Sequence, residues 1–270
     1  NIWGVGNAKG PRLPLVLVPT TAGTGSEVTP ISIITQDDDQ KKGVSSSIIL
    51  PDLAVLDPEL TLGLPKDITA ATGIDAMVHA IEAYTSINHN NNPISKILAI
   101  ESLKLLGSSI ENAVFDGQNV EARSNMLLGS MMAGQAFANS PVSAVHALAY
   151  PIGGIFHISH GLSNSLVLPH VLKFNSNNAK ACEQYAFLAP FIFKDINLNT
   201  NTETICNDFI EKLENLSSLL NIPTKLRELD IPKEACDKMA KESMKQTRLL
   251  VNNPREVTEE DAFNIYSAAW

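Results

Sequence analysis

Short apolar runs, separated by small or polar residues, fill the first sixty positions of the chain. Residues 13–19 (LPLVLVP) are a continuous apolar run, which is typical of a buried strand. A turn of small residues, TTAGTGSE at 20–27, follows it directly. The pattern predicts further strands within 28–35, 43–50 and 53–60. We therefore expect a β-containing region here, preceded by a loop.

Beyond about residue 64 the apolar positions recur at helical spacing. Asn92 followed by Pro93 predicts a helix start. Residues 121–139 predict a helix whose small residues suit the close approach of another helix, namely Gly129, Ala133, Gly134 and Ala136. Other helices are expected near 140–150, 160–174, 178–190, 203–219, 232–247 and, after a capping box of Thr258 and Asp261, 259–269.

These patterns predict two regions, residues 1–62 with strands and residues 63–270 with helices alone. The 270 residues are 44% hydrophobic and 18% charged, an ordinary globular balance. A net charge of −9 argues against a nucleic-acid partner, and no apolar run has the length of a membrane span. Three scattered cysteines suggest a reducing compartment, so we expect a cytoplasmic protein.

Four residues suggest a metal site. Asp75 and His79 are four positions apart, so on a helix they lie on one face. His146 and His160 stand on either side of a break predicted at Pro151–Gly154, so two elements can bring them together. One carboxylate and three neutral imidazoles suit a divalent ion such as Fe²⁺ or Zn²⁺.

Each member of this set also has an ordinary structural explanation. An isolated Asp-x-x-x-His is more often a helix start with a surface histidine, and His146 is as easily a core histidine as a ligand. The apolar helix around Asp75 and His79 favours burial, and buried polar groups of this kind need partners. We expect the remaining histidines to be structural, namely His89, His157 and His170.

The turn after the first strand has the chemistry to hold a cofactor. PTTAGTGSEVT (19–29) offers free backbone N–H groups and hydroxyls, which bind a phosphate or an amide. The signal is weak alone, since such turns are common and this one is neither a Walker A loop nor GxGxxG. Lys41 or Lys42 can reach a ribose or phosphate from the next strand, although a solvated lysine is the simpler interpretation.

In order along the chain, the segments PTTAGTGSEVT, DPELTLGLP, ATGIDAMVHAIEAY, VHALAYPIGG, HGLSNSLVLPHVLKFN and NPREVTEEDAFNIY resemble the iron-containing (group III) alcohol dehydrogenases. The resemblance implies a dehydroquinate-synthase-like fold: here an α/β remnant of a dinucleotide-binding domain, followed by an all-α helical domain. The family's metal ligands fall on Asp75, His79, His146 and His160. Its NAD or NADP contacts fall on Thr20, Thr21, Gly23, Thr24, Lys41 and Leu60.

The same resemblance implies an activity. A Lewis-acidic cation would activate a small alcohol or aldehyde for direct hydride exchange with nicotinamide. Many members carry a histidine four residues after the third ligand, and Tyr150 stands there, as a possible hydrogen-bond donor or proton relay. Phe137 and Tyr150 are candidates to line the substrate pocket. A homodimer is a further family expectation.

Two alternatives stay open. The first is a zinc polyol dehydrogenase or a dehydroquinate-synthase-like enzyme, which would use a three-ligand site of one aspartate and two histidines. The additional histidine on the Asp75 helix, His79, argues against such a site. Alternatively, the chain is an inactive remnant with a structural role. Asn1 is not an initiator Met, and the family's glycine-rich pyrophosphate loop is expected upstream of it, so we expect the front of the dinucleotide-binding domain to be missing.

Overall fold

The computed structural model describes residues 2–35 and 41–270, except the side chains of Thr35 and Lys41. Two small sheets lie in the first part of the chain. Parallel β1 and antiparallel β3 flank β4 in one sheet, while β2 and β5 pair in parallel in the other. The strands are β1 Gly4–Val5, β2 Val16–Leu17, β3 Ile31–Thr35, β4 Lys41–Ser45 and β5 Leu53–Ala54.

The prediction of a buried strand at 13–19 is wrong in its length and its burial. Only Val16 and Leu17 form a strand, and Leu13, Val16 and Val18 are 84%, 52% and 44% exposed. Within the described residues β2 pairs with β5 alone, so it is not a central strand of a larger sheet, and Leu17 is only partly buried. The expected loop before it also contains β1, at Gly4–Val5.

Ten helices follow in the described chain and bury the core. Asn92 caps α2 in a capping box, and Thr258 with Asp261 caps α10, as the sequence predicts. The helices are α1 Lys66–Thr85, α2 Pro93–Phe115, α3 Val120–Asn139, α4 Ala144–Phe156, α5 His160–Asn175, α6 Ala179–Ile192, α7 Thr202–Leu219, α8 Ala235–Ser243, α9 Thr247–Leu250 and α10 Glu259–Ala269. No helix in the described ranges is long and apolar enough to cross a membrane.

Helix α1 is the centre of this bundle. It contacts α2, α3, α5 and α6, and almost all of its side chains beyond the first turn are buried. Because it is surrounded, its apolar residues cover most of its circumference rather than one stripe. The polar side chains in the middle of α1, Asp75, His79 and Glu82, are therefore buried and need partners.

The break predicted at Pro151–Gly154 lies elsewhere. Helix α4 continues through Pro151 as far as Phe156. The chain turns at His157, whose φ of 56° is left-handed and ends the helix, and α5 begins three residues later at His160. One proline removes only one helical N–H donor, so a well-packed helix can continue past it.

The predicted contact of α3's small residues with a helix is correct for Gly129 and wrong for Gly134. A Cβ at Gly129 would lie 2.9 Å from Leu106 of α2. A Cβ at Gly134 would lie 2.6 Å from the carbonyl oxygen of Gly25, in the loop before β3. Gly25 has φ +56°, and a Cβ there would meet Gly134 in turn, at 2.5 Å from its Cα. The loop therefore rests directly on α3.

Candidate metal centre

Helix α1 supplies two of the four predicted ligands. Asp75 and His79 stand one turn apart in its middle, and they are only 2% and 4% exposed. The rest of this stretch is apolar, so no other polar group of α1 at that level competes for them. A buried carboxylate and imidazole side by side form the deep wall of the site.

The turn between α4 and α5 brings in the other two. His146 lies buried in the first turn of α4, and His160 is the first residue of α5, with its side chain 34% exposed. The four side chains offer ligand atoms that all lie within 4.8 Å of one another. Of the chain's other histidines, none belongs to this cluster in the described structure.

A buried carboxylate orients His146. The Nδ1 of His146 lies 2.6 Å from Oε2 of Glu82, while Oε1 of the same carboxylate accepts hydrogen bonds from the Ser143 hydroxyl at 2.8 Å and the Val145 N–H at 2.7 Å. The Nδ1–H therefore donates to Glu82, which leaves Nε2 as a free acceptor. That Nε2 is buried and has no hydrogen-bond partner. A carboxylate–histidine pair of this kind is how proteins fix a metal-ligating imidazole.

Two more contacts fix Asp75 and His79. His79 Nδ1 lies 3.2 Å from the carbonyl oxygen of Gly23, the natural acceptor for its N–H, and Phe137 stacks on the ring with centroids 4.5 Å apart. Asn164 donates from Nδ2 to Asp75 Oδ1 at 2.6 Å. The two hydrogen-bond partners, Gly23 and Asn164, each occupy one atom of the ligand and leave another for a cation.

The electrostatics of the cluster favour the metal-binding protonation states. Burial lowers the pKa of His79 to about 4, although the nearby Asp75 carboxylate opposes the shift. Burial alone would raise the pKa of Asp75, but the three histidines and the Asn164 hydrogen bond outweigh it and lower that pKa. A neutral imidazole and an ionised carboxylate are the forms that bind a cation. The donor set, its spacing and the partnerless Nε2 of His146 all fit a divalent ion.

A cavity of about 480 Å³ opens in front of the cluster. His79, His146 and His160 line its floor, with Phe137 and Tyr150 beside them, where the sequence places the substrate pocket. The other lining residues are Thr24, Ser26, Thr29, Pro30, Ile31, Ile33, Ser45, Ala138, Pro141, Val142, Arg248 and Leu249.

The predicted cofactor contacts occupy different positions around this cavity. Thr24 lines it, whereas the nearby Thr20 and Thr21 do not. Gly23 is buried and contributes its carbonyl to His79. Leu60 is 47% exposed, in the short helical turn Pro58–Thr61, away from the described cavities. Lys41 begins β4, and its side chain lies outside the described residues.

Tyr150 lies beside the most exposed ligand. Its ring centroid is 6.1 Å from that of His160, on the cavity wall. Burial raises the pKa of Tyr150, and the positive charge of Arg248 only partly offsets this. The phenol is therefore protonated at neutral pH and can donate a hydrogen bond, but it is a poor general base.

Two residues that fix the ligands were missed in the sequence. Glu82 follows His79 by three positions on α1, and Asn164 follows His160 by four on α5. Helical spacing alone placed both on the ligand faces. A glutamate or asparagine on a helix is usually solvated, so the signal appears only once α1 and the first turn of α5 are known to be buried.

Two family descriptions match the chain. "Iron-containing alcohol dehydrogenase" matches residues 2–58, and "Fe-containing alcohol dehydrogenase family, C-terminal" matches residues 69–270. Long-chain-alcohol dehydrogenase 1 of Geobacillus thermodenitrificans is 39% identical over the whole chain, which covers 67% of that relative. The 1,3-propanediol dehydrogenase of Citrobacter freundii is 35% identical over 99% of the chain and 68% of its own length.

Solved structures agree with the sequence matches. A 1,3-propanediol oxidoreductase superimposes with a TM-score of 0.93 at 33% identity, covering 100% of this chain and 69% of its own. The sulfoacetaldehyde reductase of Bifidobacterium kashiwanohense in complex with NAD⁺ gives a TM-score of 0.83 at 32% identity, covering 96% and 65%. The chain thus spans about two thirds of these proteins and has the predicted fold. It belongs to the iron-containing alcohol dehydrogenase family.

Proposed function

We propose that the chain is a metal-dependent, NAD(P)-linked alcohol dehydrogenase and aldehyde reductase. The observation that carries this is the cluster of Asp75, His79, His146 and His160, with ligand atoms within 4.8 Å and a buried His146 Nε2 that lacks a hydrogen-bond partner. The relatives are named for alcohols of different sizes, so the substrate class proposed is that of alcohols and their aldehydes.

The four ligands would hold Fe²⁺ or Zn²⁺, which supplies Lewis acidity toward an alcohol or carbonyl oxygen. Asp75 contributes the negative charge, and the imidazoles stay neutral. Glu82 and Asn164 keep His146 and Asp75 oriented, so the donors need little rearrangement to bind the ion. The partly exposed His160 forms the side of the site that faces the substrate.

The cofactor would lie on the strand side of the cavity. NAD(P)H would donate the hydride in aldehyde reduction and NAD(P)⁺ would accept it in alcohol oxidation, and the protein would place the nicotinamide beside the reacting carbon and exclude water. We propose contacts from Thr20, Thr21, Gly23 and Thr24, and from Lys41 and Leu60. By the same proposal, residues 1–62 are the C-terminal part of the dinucleotide-binding domain and residues 63–270 the metal-binding domain. Thr24 on the cavity wall is the contact best supported by position.

Tyr150 would assist the substrate. Its hydroxyl, protonated at neutral pH, can donate a hydrogen bond to the substrate oxygen or pass a proton from solvent during carbonyl reduction. Phe137 and Val142 supply apolar surface for the carbon chain.

The inclusion of His79 in the cluster favours this function over a three-ligand polyol dehydrogenase or synthase. We propose also that the protein works as a homodimer, from family membership alone. The free thiols of Cys182, Cys206 and Cys236 support a reducing compartment such as the cytoplasm.

Turnover with defined metal and cofactor tests the proposal. The purified protein, stripped with a chelator and reloaded with Fe²⁺ or Zn²⁺, should oxidise NADH in the presence of butanal. His79→Ala should abolish both metal retention and turnover, whereas His89→Ala, an exposed histidine outside the cluster, should preserve both. Full activity of His79→Ala would overturn the four-ligand site. Metal binding without turnover would support the structural alternative.

A further inference from the structure

One cation lies in the cavity wall beyond the metal cluster. Arg248, in α9, is exposed and lines the same cavity as His146, His160 and Tyr150. Among the described residues no carboxylate forms an ion pair with it, and its side chain makes no hydrogen bond to any of them. An arginine fork without a partner is a ready binding group for a carboxylate or another oxyanion.

The charge around Arg248 is unusual for this chain. The protein carries a net charge of −9, yet among the described residues the cavity lining includes no aspartate, glutamate or second lysine or arginine. The adjoining cavity of about 330 Å³, which shares Tyr150 and Arg248 with the first, adds Lys42 and again no acid. The guanidinium of Arg248 therefore places a positive charge on the cavity wall, which favours a substrate with an anionic group at that point.

The position of Arg248 points to the substrate rather than the cofactor. Helix α9 contacts α4, which carries His146 and Tyr150, so Arg248 belongs to the helical side of the cavity. The proposed cofactor loop, with Thr24, forms part of the other side. The same lining includes the apolar side chains of Val142 and Leu249.

From this arrangement we propose that Arg248 is a specificity residue that selects substrates with an acidic group at the end opposite the reacting carbon. The hydroxyl or aldehyde of such a substrate lies at the histidines, its methylenes pack on the apolar wall, and its carboxylate, or a sulfonate of similar shape, meets the guanidinium. The favoured class is thus the short ω-hydroxy acids and the corresponding semialdehydes. This inference rests on the proposed function and defines its substrate more narrowly.

Paired substrates test it. Succinate semialdehyde and butanal have the same chain length and differ in the carboxylate. In the metal-loaded enzyme, Arg248→Gln should lower kcat/KM for succinate semialdehyde roughly tenfold, the size expected for one charge-assisted hydrogen bond at a partly solvated site. It should lower kcat/KM for butanal much less, because butanal has no carboxylate for the guanidinium to bind. Arg248→Lys should restore part of the loss, and added salt should reduce the preference for the acid.

Lys245→Gln is the matched control, because Lys245 is an exposed cation three residues away that pairs with Glu242 and lines neither cavity. Lys245→Gln should change kcat/KM for neither of the two aldehydes. A binding measurement adds a readout besides turnover: succinate should bind the wild-type protein more tightly than Arg248→Gln by calorimetry.

Equal losses for both aldehydes, or a change confined to the KM for the nicotinamide cofactor, would overturn the proposal and assign Arg248 to the cofactor or to packing. No reduction of either aldehyde by the metal-loaded wild-type enzyme would instead count against the proposed function itself.

Discussion

The metal cluster and the mouth of its cavity are built in different ways. In the cluster, Asp75, His79 and His146 are buried, and each has one atom fixed by a partner from another part of the fold. At the mouth, Thr24 and Arg248 are exposed, and the Thr24 hydroxyl donates a local hydrogen bond to the Ser26 hydroxyl at 3.1 Å. The comparison suggests that the reaction type is fixed by the packed helices, while substrate choice lies in a few exposed side chains.

The largest effect within this comparison is expected at Glu82. Glu82→Gln keeps the shape but removes the charge that holds the His146 N–H, so metal affinity should fall about 10- to 100-fold. Calorimetric titration with Zn²⁺ measures it. Glu121→Gln, on the exposed surface of α3, is the control and should bind as tightly as the wild type. An unchanged affinity of Glu82→Gln for Zn²⁺ would mean that the Glu82 carboxylate has only a packing role and does not support metal binding.

The next test concerns the contact between Gly134 of α3 and the loop that contains Gly25. Gly134→Ala would place a Cβ 2.6 Å from the Gly25 carbonyl oxygen, which forces the loop to move and should cost about 1–3 kcal/mol of unfolding free energy. Urea denaturation measures this cost. Gly154→Ala, in α4, meets nothing within 4 Å and should be neutral or stabilising, by up to about 1 kcal/mol. Equal stability of the two variants would show that the loop does not depend on this contact.

Tyr150 should have a smaller effect on catalysis. Tyr150→Phe keeps the ring but loses the hydroxyl, so kcat should fall about tenfold, as expected for one hydrogen bond, with metal affinity unchanged. Because burial raises the pKa of Tyr150, the wild-type rate should show no loss attributable to this phenol near neutral pH. A Tyr150→Phe variant with wild-type kcat would remove Tyr150 from the catalytic assignment.

The last test concerns His170, which lies on α5 as His160 does but is not part of the metal cluster. Burial lowers the pKa of His170 in α5 to about 4, from an ordinary value near 6.5. Between those two pH values the unfolded chain binds a proton that the folded chain does not, so stability should fall as the pH drops through this window. The contribution is on the order of 1–3 kcal/mol, and His170→Gln should flatten it in urea titrations. Saturating metal should not flatten this pH dependence of stability. A pH profile unchanged in His170→Gln would refute this source of acid sensitivity.

Much of the helical region could be predicted from local patterns. Caps at Asn92 and Thr258 mark real helix starts, and the four-residue spacing of Asp75 and His79 places them on one face. Such features depend on residues near each other in the chain, so the sequence contains them directly.

Features that depend on distant packing were not predicted. Gly134 contacts a loop more than a hundred residues away, and Glu82 meets His146 across 64 positions. The apolar run at 13–19 predicted burial from composition, but burial needs a partner surface, and β2 has only β5 within the described residues. Pro151 predicted a break because proline lacks an N–H, yet packing carries α4 past it.

Crystallography of the metal-loaded protein, with anomalous scattering at the iron or zinc edge, is the most direct test of the four-ligand metal site. We expect a single ion bonded to Asp75, His79 and His160, and to His146 through the Nε2 that has no hydrogen-bond partner. An ion bound without His79, or one bound away from His146 Nε2, would contradict it.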